Sequence, residues 1–197
     1  MIKNFDTCDA MGAYIDAQIY GSFLVSDIDF LGSYVKKLEA GDIFLEIGTQ
    51  YGKSTAAAIW QAPEGVIFYT CDIEDFPQPD PTRLSRSKFF ESEGLNEVCT
   101  FIKGNSLEIA RNWKHGLLSM IFIDAEHTYE AVEQDMIAWI PYLKSGGFIA
   151  FHDYADSQFT VMGAIDKYIK NSEDFTHFKC AKENGYMNSS MAGAVKK

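Results

Sequence analysis

Residues 43–55 read IFLEIGTQYGKST, and the rest of the chain can be placed outward from them. Ile43 to Ile47 is an apolar run with one acid inside it, the pattern of a short strand buried in a parallel sheet. The run breaks at Gly48, turns through Gly52 and continues as KSTAAAIW, which reads as a helix. Strand, glycine turn and helix form the first half of a βαβ nucleotide-binding unit. Gly48 permits the turn, and Gly52 lets the helix start approach a strand end or a ligand closely. The helix N-terminus presents unpaired N–H groups, so an anionic group is favoured there.

The glycine spacing is Gly-x-x-x-Gly rather than Gly-x-Gly-x-x-Gly, and Glu46 stands two residues before Gly48. A pyrophosphate at this turn would meet that carboxylate, at a cost on the order of a few kcal/mol for charges ~4 Å apart in a partly screened site. A ligand with an ammonium and a carboxylate but no phosphate suits the turn better. The methionine part of S-adenosylmethionine is such a ligand. A tight turn without any ligand is the plain alternative at this point.

The chain has 197 residues, room for one domain with a large core rather than two. Its 47% hydrophobic content is that of a globular chain rather than a disordered one. A net charge of -11 argues against a nucleic-acid partner, which needs a basic face. No apolar run reaches the ~18 residues of a membrane span, and the start, MIKNFDTCDA, lacks the apolar stretch of a signal peptide. Cys8, Cys71, Cys99 and Cys180 are scattered, which points to reduced thiols and a cytoplasmic setting.

Residues 1–25 form an N-terminal helical segment, Asp9 to Tyr20 with Gly21 closing it. It covers a substrate site, contacts a partner subunit of a homo-oligomer, or packs on the sheet, and plain packing is the expectation. Residues 26–197 form a single domain. Ser26 and Asp29 have the spacing of a capping box for a helix over Asp27–Lys37. Val66–Cys71 reads as the second strand, ending at Asp72. Residues 73–81, with three prolines, are irregular, and Asp80 caps a helix over Thr82–Glu93. Val98–Lys103 and Leu118–Ile123 read as strands three and four. A helix over His127–Leu143 is capped by Thr128 or His127 and kinked late by Pro141. After the turn Ser145-Gly146-Gly147, Phe148–Phe151 is the fifth strand, and a helix from about Gln158 to Ile169 follows. Phe175–Ala181 and Ser190–Val195 pair through ENGYMNS as a hairpin. The fold class is therefore α/β: a Rossmann-like doubly wound sheet of five parallel strands plus a C-terminal antiparallel hairpin, with helices on both faces.

Ligands of such sheets bind beyond the carboxyl ends of the strands. Four of those ends carry polar groups here: Glu46, Asp72, Asp124, and His152 with Asp153. All four are expected to face one crevice. Asp72 lies 24 positions after Gly48, where an acid can accept hydrogen bonds from both ribose hydroxyls of an adenosine. The alternative is an exposed loop carboxylate beside Glu74 and Asp75.

LEIGTQYGKST, CDIED, GNS and FIDAEHTYEAVEQDMIAWIPYLKSGGFIAFHDY, in that order, resemble a class I S-adenosylmethionine-dependent methyltransferase. The likeness is greatest to the small O-methyltransferase-like group with an Ile-Asp-x-x-His-x-Tyr-Glu segment and a His-Asp-Tyr after the fifth strand. It covers roughly residues 22–197. The resemblance implies that Glu46, Gly48, Thr49 and Gly52 hold the methionine end of the cofactor and that Ser54 adds a hydroxyl. It implies that Asp72 takes the ribose and Ile73 lies on one adenine face. Asn105 and Ser106 match the turn that meets the adenine, with Asn in place of the usual Asp. Asp124 is counted among the cofactor-binding residues as well.

Metal-dependent relatives of the catechol type bind magnesium with an Asp after the fourth strand and two polar residues after the fifth. Asp124, His152 and Asp153 occupy the matching positions. His152 departs from that pattern, because magnesium prefers oxygen while imidazole suits manganese, zinc or iron. Either the metal differs, or His152 turns away, or the two acids bind no divalent cation; pairing of His152 with Asp153 at the sheet end is a further reading. His127, three residues after Asp124, matches a lysine general base of those relatives and titrates in a suitable range. A helix cap or a metal ligand are its other readings.

The expected function is methyl transfer from S-adenosylmethionine to a small-molecule hydroxyl, with Asp124 and His127 at the reacting end. A non-catalytic binding module for the same cofactor and an NAD-dependent oxidoreductase are the alternatives. The acceptor pocket would be built from residues 1–25, 73–81 and 154–160, where Phe5, Tyr14, Tyr20, Phe23, Phe76, Tyr154 and Phe159 supply aromatic surface.

Overall fold

A computed structural model describes residues 3–73, 76–77, 79–185 and 189–197. Glu74 and Asp75 of the proline-rich loop, and Tyr186 to Asn188 of the expected hairpin turn, lie outside the described residues.

Seven strands form one sheet: β1 (Ile43–Ile47), β2 (Ile67–Asp72), β3 (Cys99–Lys103), β4 (Leu118–Ile123), β5 (Leu143–Phe151), β6 (Phe175–Cys180) and β7 (Ala192–Lys196). Their order is β3-β2-β1-β4-β5-β7-β6. β1 to β5 pair in parallel, β7 runs antiparallel to β5, and β6 closes the edge antiparallel to β7. The expected parallel sheet with an antiparallel hairpin is what the chain adopts.

Side chains of a strand alternate between faces, and the core divides accordingly. Phe44, Phe68, Met120 and Phe148 point to one layer, packed by α1 (Cys8–Gln18), α2 (Val25–Val35), α3 (Lys53–Gln61) and α4 (Arg86–Ser92). Leu45, Cys71, Ile121 and Ile149 point to the other, packed by α5 (Ser106–Arg111), α6 (Tyr129–Trp139) and α7 (Val161–Ile165). In the N-terminal segment Met11, Ile15 and Ile19 are buried in the first layer.

Several boundaries depart from the sequence reading. α4 starts at Arg86, not Thr82, because Asp80 closes a local turn on the Thr82 N–H at 2.9 Å and Ser85 supplies the cap instead. α2 starts at Val25, and its cap is the Asp27 carboxylate accepting the Leu24 N–H at 2.8 Å. Ser26, expected to cap, keeps a buried hydroxyl with no partner among the described residues. Thr128, not His127, caps α6, and Pro141 opens a separate 3₁₀ turn over Ile140–Tyr142 rather than kinking the helix. β5 reaches back to Leu143 through the expected Ser145-Gly146-Gly147 turn, with a register shift against β4. α7 is one short helix that widens into a π turn over Asp166–Lys170.

Candidate active site

A cleft of roughly 600 Å³ opens beyond the carboxyl ends of β1, β2, β4 and β5. The sheet hydrogen bonding runs one residue past those ends: Gly48 donates to the Cys71 carbonyl at 2.9 Å, Asp124 to Ile47 at 2.8 Å and His152 to Ile123 at 3.1 Å. The residues that follow the strands are thus held in register. Gly48 has φ 95°, and a Cβ on it would lie 2.0 Å from the Asp124 carbonyl oxygen, so only glycine lets the turn cross there. Gly52 has φ 84° and lies against Phe90, so a side chain there would both strain the backbone and strike the ring.

Glu46 does not face the crevice with the other three strand ends. It is fully buried below the glycine turn, where Ser54, Thr55 and Thr70 all donate hydroxyl hydrogen bonds to its carboxylate. Burial pushes its pKa up to about 7, against the opposing pull of those three hydroxyls. Thr49 joins the same cluster through Thr70 at 2.5 Å, and both Thr49 and Ser54 also reach the cleft wall. Gly52 is absent from that wall.

Asp72 stands at the end of β2 and accepts N–H bonds from Gln50 and Ile73, both at 2.7 Å. These bonds fix the carboxylate, while burial still raises its pKa above the ordinary value. Ile73 is 62% exposed at the cleft mouth, an apolar face open to a flat ligand. Asn105 caps α5, its side-chain oxygen accepting from Leu107 and Glu108 at 3.0 and 3.3 Å. Ser106 donates to the Asp135 carboxylate on α6.

The ends of β4 and β5 bring together Asp124, His152 and Asp153, whose candidate ligand atoms all lie within 4.8 Å of one another. His152 Nδ1 is 3.1 Å from Asp153 and 3.6 Å from Asp124, and its Nε2 is 3.3 Å from Asp27. His127 Nδ1 is 2.9 Å from Asp153, and the Phe159 ring lies 4.5 Å from the imidazole. Burial alone would lower the His152 pKa, but the Asp124 charge and the hydrogen bonds to Asp153 and Asp27 raise it well above the ordinary value. Burial lifts Asp124 to about 6 despite the facing histidine. For Asp153 burial is outweighed by His127 and His152, which hold it far below the usual carboxylate range. The bond to Asp153 raises His127.

Sequence reasoning missed Asp27 and Lys53. Asp27 is 2% exposed and one of its oxygens has no partner among the described residues, so the same side chain caps α2 and faces His152. Lys53 ties the N-terminal segment over the glycine turn through Asp16 and the Gly21 carbonyl, the latter at 2.8 Å. Of the aromatics expected around an acceptor, Tyr20, Phe23, Phe76 and Phe159 line the cleft. Phe5 and Tyr14 pack on Trp60, and Tyr154 packs on Phe178.

Residues 45–154 match the methyltransferase domain family. An uncharacterized protein of Acanthamoeba polyphaga mimivirus is 35% identical over 171 residues, which cover 79% of this chain and 72% of that one. The O-methyltransferase of Bacillus cereus, solved with S-adenosylhomocysteine, superposes with a TM-score of 0.67 at 17% identity over 100% of this chain and 93% of its own. MycE of the mycinamycin biosynthetic pathway, solved with Mg and S-adenosylhomocysteine, gives 0.65 at 14% identity over 98% of this chain and 55% of its own. At such identities the two structures establish a shared fold. No helix among the described residues is long and apolar enough to cross a membrane.

Proposed function

This chain belongs to the methyltransferase domain family as a class I S-adenosylmethionine-dependent enzyme, and from that premise we propose that it methylates the oxygen of a small-molecule hydroxyl. The observation that carries this reading is the group of two acids and two histidines at the ends of β4 and β5, beside the cleft. A sulfonium is already an activated leaving group. The protein therefore has to hold donor and acceptor in line and free an acceptor oxygen of its proton.

His127 is suited to the second task. Its Nδ1 faces Asp153 at 2.9 Å, which favours the Nδ1–H tautomer and leaves Nε2 to take a proton. Its side chain is 38% exposed, so an acceptor can reach it. In this reading Asp72, its carboxylate held by the Gln50 N–H, takes the ribose hydroxyls, and the turn from Gly48 to Gly52 takes the methionine end. Glu46 acts on that end through the shape of the turn it supports from below.

The donor set at the ends of β4 and β5 fits a divalent cation. Asp124, His152 Nδ1 and Asp153 converge, and Asp27 stands behind Nε2 as the outer carboxylate that ligating histidines carry. One nitrogen among the donors favours manganese, zinc or iron over magnesium. When bound, such a cation would lower the pKa of an acceptor hydroxyl.

The test is methyl transfer from labelled S-adenosylmethionine to catechols, phenols and sugars, and to amines and carbon acids, with manganese, with magnesium and with chelator. Transfer to one hydroxyl class is expected, together with calorimetric binding of S-adenosylhomocysteine. Binding accompanied by transfer only to nitrogen or carbon nucleophiles would overturn the oxygen assignment.

A further inference from the structure

A second cavity, of roughly 280 Å³, shares part of its wall with the main cleft. The two have Ser22, His152, Asp153 and Asp156 in common, so they meet at the group assigned to the reacting end. Leu24 and Asp27 enter this wall from the start of α2, Ala155 and Ser157 from the turn after β5, and Lys182 and Ser190 from the connection between β6 and β7. Ligand pockets commonly measure ~300–1,000 Å³, so a space of this size takes one ring rather than an extended molecule.

Much of the hydrogen-bonding capacity of that wall is unused within the fold. The Ser22 and Ser157 hydroxyls have no partner among the described residues. Ser190 accepts the Asp153 N–H at 3.2 Å and keeps its own hydrogen to give. Lys182 spends one N–H on the Ala155 carbonyl, at 3.1 Å, and an ammonium carries more than one. One Asp156 oxygen accepts the Gln158 N–H at 2.9 Å, and the other accepts nothing among the described residues. Spare donors and a spare acceptor therefore stand side by side.

That mixture discriminates between ligand classes. Asp27 and Asp153 are turned to His152, at 3.3 and 3.1 Å. What remains is one acid, Asp156, and one ammonium, Lys182, which favour neither net charge in a ligand. A phenol or catechol needs an apolar or aromatic wall. Among the described residues this one offers Leu24 and Ala155 and no Phe, Tyr or Trp. A sugar ring is neutral, and each of its hydroxyls donates and accepts at once.

We infer that the second cavity seats a sugar ring and that the methyl acceptor is a sugar hydroxyl presented past Asp153 to the main cleft, with Lys182 and Ser157 selecting the ring. The inference rests on the oxygen-methylation reading. In the transfer, the bond from the methyl carbon to the sulfonium breaks as the bond to the sugar oxygen forms. The sulfur keeps the bonding pair, and the hydroxyl proton passes to His127 Nε2.

The test offers wild-type protein, with labelled S-adenosylmethionine and both manganese and magnesium, the methyl pyranosides of several hexoses beside catechol and a simple phenol. At least one pyranoside is expected to exceed both aromatic acceptors in kcat/KM by about tenfold, since a polar site leaves its groups unpaired against the wrong ligand. Lys182→Met should raise the pyranoside KM about tenfold and Ser157→Ala about fivefold, the scale of a charged and a neutral hydrogen bond. In both variants kcat and S-adenosylhomocysteine affinity should stay within about threefold, and melting transitions check that each folds. Ser157 has no partner to lose, so its KM effect reports the ligand even where Lys182→Met does not fold. A rise in pyranoside KM in either folded variant supports the cavity. Aromatic acceptors methylated as well as or better than every pyranoside, or a pyranoside KM unchanged in every folded variant, overturns the inference and leaves oxygen methylation standing. Transfer to no hydroxyl of any class overturns the oxygen-methylation reading, and this inference with it.

Discussion

Glu46 under β1 and Asp153 after β5 are both buried acids at the same end of the sheet, but their partners differ in kind. Three hydroxyls surround Glu46, and its raised pKa of about 7 means that near neutrality it readily holds a proton. Two imidazoles face Asp153, and they keep it ionised. Hydroxyls complete an acid within the fold. Histidines leave it charged and keep a titratable partner of their own at the cleft, since His127 is half open to it. The first arrangement supports a turn, and the second can move a proton or hold a cation.

The sharpest way to break that distinction is Asp153→Ala. It should lower kcat by about 10³-fold, within the range of a lost general base, while S-adenosylhomocysteine affinity stays within about threefold. Equal losses in both, from single-turnover transfer and calorimetry, would make Asp153 structural like Glu46.

Glu46→Gln probes the other side. Glu46 holds its proton more tightly folded than unfolded, so its stabilisation is complete below its ordinary value of 4.5 and is lost as pH rises through about 7. At 1.36 kcal/mol per pKa unit this amounts to about 3 kcal/mol. Urea unfolding should show Glu46→Gln improving against wild type by up to that amount between pH 4.5 and 8. Parallel profiles would mean that Glu46 titrates normally.

Asp72→Ala removes a carboxylate that has both a structural and a ligand-facing side. Its loss should weaken S-adenosylhomocysteine binding by about 1.5–3 kcal/mol, the worth of hydrogen bonds to a charged group, and unchanged binding would take it out of the site. Ser54→Ala should show the smallest effect, a stability loss of about 1 kcal/mol for one buried hydrogen bond. A fall in ligand affinity larger than the fall in stability would assign the Ser54 hydroxyl to the cofactor instead of to Glu46.

The central strands and their polar ends were readable because parallel strands buried on both faces show as apolar runs, and because a charge at the end of such a run has few places to go. Leu118–Ile123 was legible to the residue. The start of α4 was not, because Asp80 and Ser85 are both good caps and the local turn at Thr82 decided between them. The role of Asp27 could not be read either. It lies 125 positions from His152, and only the packing of α2 on the sheet joins them. Glu46 was placed at the right strand end, but its direction depends on Thr70 of the neighbouring strand, a pairing that no local pattern announces.

β7 lies between β5 and β6, although the chain makes it last of the three. As the polypeptide leaves the ribosome, the strand that ends at Phe151 therefore waits with one edge bare until Ala192–Lys196 arrives to zip against it. A bare edge invites pairing with other chains. Synthesis interrupted shortly before Ala192 would thus yield a nascent protein prone to aggregate at the very strand that positions the reacting groups.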